Sequence, residues 1–183
     1  MIPDESKISE NVAEYILLIY QLEDLVRAYD LDPDKLKEGY IIPQVQNDQE
    51  LKIASDWYGE LIAKMKRSGL RKSGHIPELD EIMVELSYLH NTMLNLTGDH
   101  KYKEIFAKAS PFLEEFKEKS DLKNKNYIEL AFHAMYMKLL LRLQKKNISD
   151  ETEEAFEAMR LMLAHLSKAY QKMKSGDLNF LSN

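Results

Sequence analysis

The chain has 183 residues, of which 44% are hydrophobic and 31% charged, with a formal net charge of -6 and no cysteine. A chain of this length can bury roughly 70% of its unfolded surface, and Gly 6 with Pro 5 is sparse for a fold rich in turns. The negative charge disfavours general nucleic-acid binding, which needs a basic surface to neutralise phosphates, and the missing thiols exclude disulfides, cysteine nucleophiles and thiolate metal sites.

The opening MIPDESK carries no basic stretch, and the apolar run 15–20 is too short for a signal core or a membrane span. The expectation is a cytoplasmic protein with no membrane segment. Apolar residues then recur at helical spacing in six segments. The first, about 11–29, opens on the capping pair Asn11 and Glu14. The connection 30–47 is long enough to cross over or form a lid, with at most one turn after Pro33. A second helix starts at the pair Asn47 and Glu50 and runs to about residue 68, before Gly69. After GLRKSGH, a third begins near Pro77 and ends before Gly98.

The fourth helix covers about 101–119, with a kink expected at Pro111. The fifth spans about 126–146, and the sixth about 149–175, followed by a tail over 176–183. No internal repeat and no alternating pattern calls for a sheet. Short connections around Gly98 and Asn147 favour antiparallel neighbours. The expected fold is therefore all-α, a single-domain antiparallel bundle of about six helices over 1–183.

Helical wheels place some polar residues where a simple core would have apolar ones. On the first helix Val12, Ile16, Ile19, Leu22 and Val26 share a face, and Glu23 projects inside its edge. Arg27, four residues on, is expected to reach back to Glu23 as an intrahelical ion pair, while Asp24 falls on the polar side. His90 lies near the centre of the third helix's apolar arc. The fifth helix is apolar almost all round, which marks it as the central one, yet it carries Glu129 and His133 one turn apart and Arg142 on another strip.

Buried polar groups must find partners, so Glu23, Arg27, His90, Glu129, His133 and Arg142 are expected to meet inside the bundle as a satisfied network. The alternative is an interior Glu/His site of a small-molecule or metal-dependent enzyme. The chain has no Glu-x-x-His, which carboxylate-bridged di-iron bundles require, and no phosphate-loop or dinucleotide glycine pattern. No catalytic residue, metal ligand set or cofactor is assigned. Asp30, Asp32 and Asp34 match the first ligand positions of a calcium loop, but Lys35 stands at its glycine position and Ile41 at its final acid, so a turn and a short helix are expected instead.

The run KMKRSGLRKSGH holds Lys64, Lys66, Arg67, Arg71, Lys72 and His75 without one acid. Cations at a helix C-terminus complement its dipole, and the sharper reading is an anion-binding end for an anionic ligand or acidic partner. Trp57, Tyr58, Leu61 and Met65 form an apolar stripe of core character, whose surplus could bury against a second copy.

The stretches NVAEY at 11–15, QLEDLVRA at 21–28, WY at 57–58, GH at 74–75, ELSYLH at 85–90 and LLLRLQKKNISDET at 139–152 resemble, in the same order, an uncharacterised bacterial family of all-helical proteins of unknown function. The resemblance implies an all-helical fold and no established activity, cofactor or substrate. The function is accordingly read as unknown, with a helical binding or interaction module able to form a homo-oligomer as the leading description. Recognition of an anion or nucleic acid through the basic helix ends is a further alternative.

Overall fold

The computed structural model describes residues 2, 8 and 10–177, and every regular element among them is helical. The helices are α1 (Val12–Ala28), α2 (Pro33–Leu36), α3 (Asp48–Arg67), α4 (Pro77–Asn95), α5 (His100–Lys119), α6 (Tyr127–Leu143) and α7 (Asp150–Lys174). A π-helix, Lys37–Ile41, and a 3-10 turn, Ile42–Gln44, lie between α2 and α3. Of the expected tail over 176–183, residues 178–183 lie outside the described residues.

Side-chain caps set most of the starts. Asn47 Oδ1 accepts the Glu50 N–H at 2.9 Å, and the Ser149 hydroxyl accepts the Thr152 N–H at 3.3 Å. Asn126 accepts from Ile128 and Glu129, while Glu129 accepts the Asn126 N–H in return, a complete capping box. Asp32 caps α2 by accepting from the Asp34 and Lys35 amides, so the acid-rich DLDPD stretch serves a turn.

The described residues divide into two compact units, residues 2 and 18–81, and residues 8, 10–17 and 82–177. In the first, α3 buries Ala54, Tyr58, Leu61, Ile62 and Met65, and α2 and the π-helix pack on it with Leu36 and Ile41 buried. The connection 30–47 is thus a chain of packed short turns rather than an open lid. It begins where α1 stops: the Leu31 N–H reaches back to the Val26 carbonyl at 3.0 Å with Asp30 and Leu31 both in the left-handed region. Glycine usually takes such a position; here the burial of Leu31 offsets the strain.

In the second unit α5 packs against α7, and α6 packs against both. Pro111 sits inside α5 without ending it. The carbonyl it leaves without a donor belongs to Ala107, on the exposed side where water can pair with it. α6 is central only at its start, burying Ile128, Leu130, Ala131, Phe132, Ala134 and Met135, whereas Met137 and Leu143 are exposed. Its second half carries Lys138 and Arg142, both paired with Glu153 at the opening of α7, which keeps that end beside solvent.

Gly39 sits in the π-helix against the ring of Tyr29, whose Cε1 would lie 2.6 Å from an added Cβ, while a Cβ at Gly59 in α3 would meet nothing within 4 Å. Gly39→Ala is expected to destabilise the protein by about 1–3 kcal/mol through overpacking, and Gly59→Ala to stabilise it by about 0.5–1 kcal/mol through helix propensity. Urea unfolding of the two variants checks both signs.

Candidate functional site

Residues 68–76 run between α3 and α4 without regular structure, so their backbone groups have no ladder to join. One side of α1 supplies the partners. Glu23, with 0% exposure, accepts the Ile76 N–H at 2.7 Å and meets His75 Nδ1 at 2.6 Å. Tyr20, one turn before Glu23, stacks on the His75 ring with centroids 3.7 Å apart and planes 9° from parallel. Arg27, one turn after it, donates from Nε to the Leu70 carbonyl at 3.1 Å and from its guanidinium to the Gly74 carbonyl.

This corrects the expected pairing of Glu23 with Arg27. The guanidinium instead meets Asp24 Oδ1 at 2.8 Å, because Asp24 stands toward solvent where Arg27 can hold it while still facing the loop. The physical reason is backbone satisfaction: an unpaired buried N–H costs about 1–3 kcal/mol, and the Ile76 amide is buried beside Glu23. Gly74 is needed at its position, since its φ is +92° and an added Cβ would lie 2.9 Å from Leu70 Cδ2.

The loop so held is the outer face of the basic run. Lys66, Arg67, Arg71 and Lys72 are exposed and make no ion pair among the described residues. Lys64 is already engaged, 2.5 Å from Glu78, and the Lys64 hydrogen bond, with help from Arg67, keeps the Glu78 carboxyl below its ordinary range despite some burial. Lys64, Arg67, Ser68, Glu78 and Glu81 line a crevice of about 300 Å³ between the end of α3 and the start of α4. His75, expected among the anion-binding residues, turns to Glu23 instead.

The other interior candidates lie in the second unit. His90 is buried and meets the Tyr102 hydroxyl at 2.6 Å, with Phe106 edge-on. Tyr102 stacks on His165, which meets Asp99 at 3.2 Å. Burial drives the Tyr102 hydroxyl well above its ordinary value and holds the His90 imidazole down at about 4. Asp99 is pushed up by partial burial, but the Tyr102 amide and His165 outweigh this and leave it below the usual carboxylate range.

Glu129 and His133 are neighbours on α6, but Glu129 belongs to the helix start rather than the interior. It completes the Asn126 cap and pairs with Lys125 at 2.6 Å. Partial burial raises its carboxyl, and Lys125, the Asn126 amide and His133 together bring it below its ordinary value. Arg142 was expected inside and stands 62% exposed beside Glu153, since a long cation near a helix end reaches water without desolvation. Among the described residues no three His, Asp or Glu side chains gather as a group that could hold a metal ion.

Sequence reasoning missed the meeting of Glu23 with His75 and of His90 with Tyr102. The place of His90 on its helix's apolar arc signals a buried ring in need of a partner, without pointing to Tyr102. The 52-residue gap between Glu23 and His75 carried no signal beyond a lone acid on an apolar face.

Glu23→Ala is expected to cost on the order of 3 kcal/mol by orphaning the Ile76 amide, and Glu23→Gln, which keeps an acceptor, roughly 1 kcal/mol. Hydrogen exchange should show Ile76 losing protection in the alanine variant; unchanged exchange there would mean the carboxylate does not hold the loop. For His90 the unfolded chain takes up a proton near pH 6.5 that the native state refuses down to about pH 4. Stability is therefore complete above about pH 6.5 and falls by about 1.4 kcal/mol per pH unit toward pH 4. His90→Gln, whose amide oxygen can still accept from Tyr102, should flatten that slope, read as urea midpoints at neutral and mildly acidic pH.

Over residues 1–177 the chain matches the family described as Domain of unknown function (DUF4924), and it belongs to that family. No curated protein and no solved structure matches it.

Proposed function

From membership of a family that brings no activity with it, we propose that this chain is a binding module that docks an acidic segment of another protein through the basic stretch 66–75. The observation that carries this reading is the contrast between the two sides of the loop. Its backbone is pinned from beneath by Glu23 and Arg27, while Lys66, Arg67, Arg71 and Lys72 project without an ion-pairing partner among the described residues. A loop ordered before binding loses less entropy on docking. Two arginines add bidentate recognition of carboxylates.

The net charge of -6 argues for a local acidic partner rather than a nucleic acid, whose long phosphate array would meet repulsion beyond the loop. Among the described residues no helix is long and apolar enough to cross a membrane, and the cysteine-free composition fits work in the cytoplasm.

The test is an NMR titration of the intact labelled chain with a hexaglutamate peptide at low salt. Shifts confined to 66–75, fading as salt is added, are expected. The double variant Arg71→Glu, Lys72→Glu should weaken binding by roughly tenfold or more with an unchanged melting temperature. Absent shifts, or shifts that survive the double variant, would overturn the reading.

A further inference from the structure

The short turns between α1 and α3 form one wall of a cavity far from the basic loop in sequence. A π-helix is an uncommon way to continue a chain and occurs often at functional sites; here it carries Tyr40 and Ile41 toward α3 and accommodates Gly39 beneath Tyr29. Facing it across the cavity are Ile53, Ala54 and Tyr58 of α3, with Glu50 and Gln44 at the rim. The space is about 370 Å³, within the range of small-molecule sites.

Its walls are mostly apolar, and Tyr40 meets Tyr58 edge-on with centroids 6.0 Å apart. Ile53 is 52% exposed although it borders the cavity, so apolar surface there still faces water. The charged group among the lining residues is Glu50, at the rim. Its carboxylate accepts from the Gln46 amide at 2.8 Å and from Asn47 Nδ2 at 3.0 Å, both neutral donors, and no cation pairs with it among the described residues. A cavity with tyrosines, aliphatic walls and, at its exposed rim, one carboxylate held by neutral donors in the first turn of α3 repels anions and attracts cations with apolar bodies.

We propose that this cavity binds a small organic cation, an ammonium group on a compact apolar or aromatic body, with the ammonium beside Glu50 and the body against Tyr40, Ile53 and Tyr58. This site stands apart from the acidic-partner reading and neither needs nor supports it.

Trp57 is the single tryptophan of the chain and lies edge-on to Tyr58 with centroids 5.0 Å apart, so its fluorescence reports on the cavity wall. The intact protein is titrated with 2-phenylethylammonium, with 2-phenylethanol and 3-phenylpropanoate as neutral and anionic counterparts. A saturable change in Trp57 emission is expected for the cation below about 10 mM, with the anion binding roughly tenfold or more weakly. Glu50→Gln keeps an acceptor for the cap and should weaken the cation severalfold while leaving the alcohol unchanged.

Ala54→Leu fills the cavity and should abolish binding of both; if its circular dichroism shows misfolding, Ile53→Gln on the exposed wall takes its place and should weaken both. The proposal is overturned if no probe saturates, if cation and anion bind alike, if Glu50→Gln affects cation and alcohol equally, or if a folded cavity variant binds as the parent does.

Discussion

The carboxylate of Glu23 has two partners from the same loop, the Ile76 amide and the His75 ring, and the first unit's organisation follows from that constraint. An irregular segment next to a core must pair its backbone or expose it. Here α1 gives up three positions on its inner stripe, Tyr20, Glu23 and Arg27, to do the pairing. The stack of Tyr20 on His75 covers the acid, and Arg27 closes the loop at Leu70 and Gly74. With the backbone so engaged, the cations of the loop have one direction left, toward solvent.

The second unit uses polar contacts for a different purpose, to join helices whose apolar faces alone would leave register open. Tyr170 donates to Glu85 at 2.5 Å and Lys174 pairs with the same carboxylate at 2.7 Å, tying the end of α7 to α4. Partial burial pushes Glu85 up, yet Lys174 and Tyr170 more than reverse it and leave the acid below its ordinary range. His90 and Tyr102 form the buried counterpart between α4 and α5. Satisfied pairs of this kind add specificity to a core that leucine and methionine would fill in several ways.

Local signals were legible residue by residue. Asn11 and Asn47, the two residues read as opening capping pairs, each accept the amide three residues on, and Asn126 and Ser149 stand at the helix starts expected there. Asp32 caps the turn that its Asp-Pro neighbour implies. The burial of Glu23 and His90 could also be read from their wheels, because a helix face is a local property. Arg142 was misplaced because a helix apolar all round says nothing about which end is covered, and α6 is covered only at its start; Glu129 was misplaced because its carboxylate turns back to the Asn126 amide and Lys125 instead of inward. The Tyr40–Tyr58 cavity escaped because a π-helix has no periodicity distinct from that of an α-helix in so short a segment.

By itself the sequence determined the helical class, the caps and the concentration of positive charge in 64–75, since each depends on neighbours within a few residues along the chain. Tertiary structure alone decided the partners. Whether Glu23 would meet Arg27 one turn away or His75 at a separation of 52 residues depended on which backbone donor came to lie against α1. Spacing along a helix fixes what can touch within it, and only folding brings a distant amide to the one carboxylate that can satisfy it.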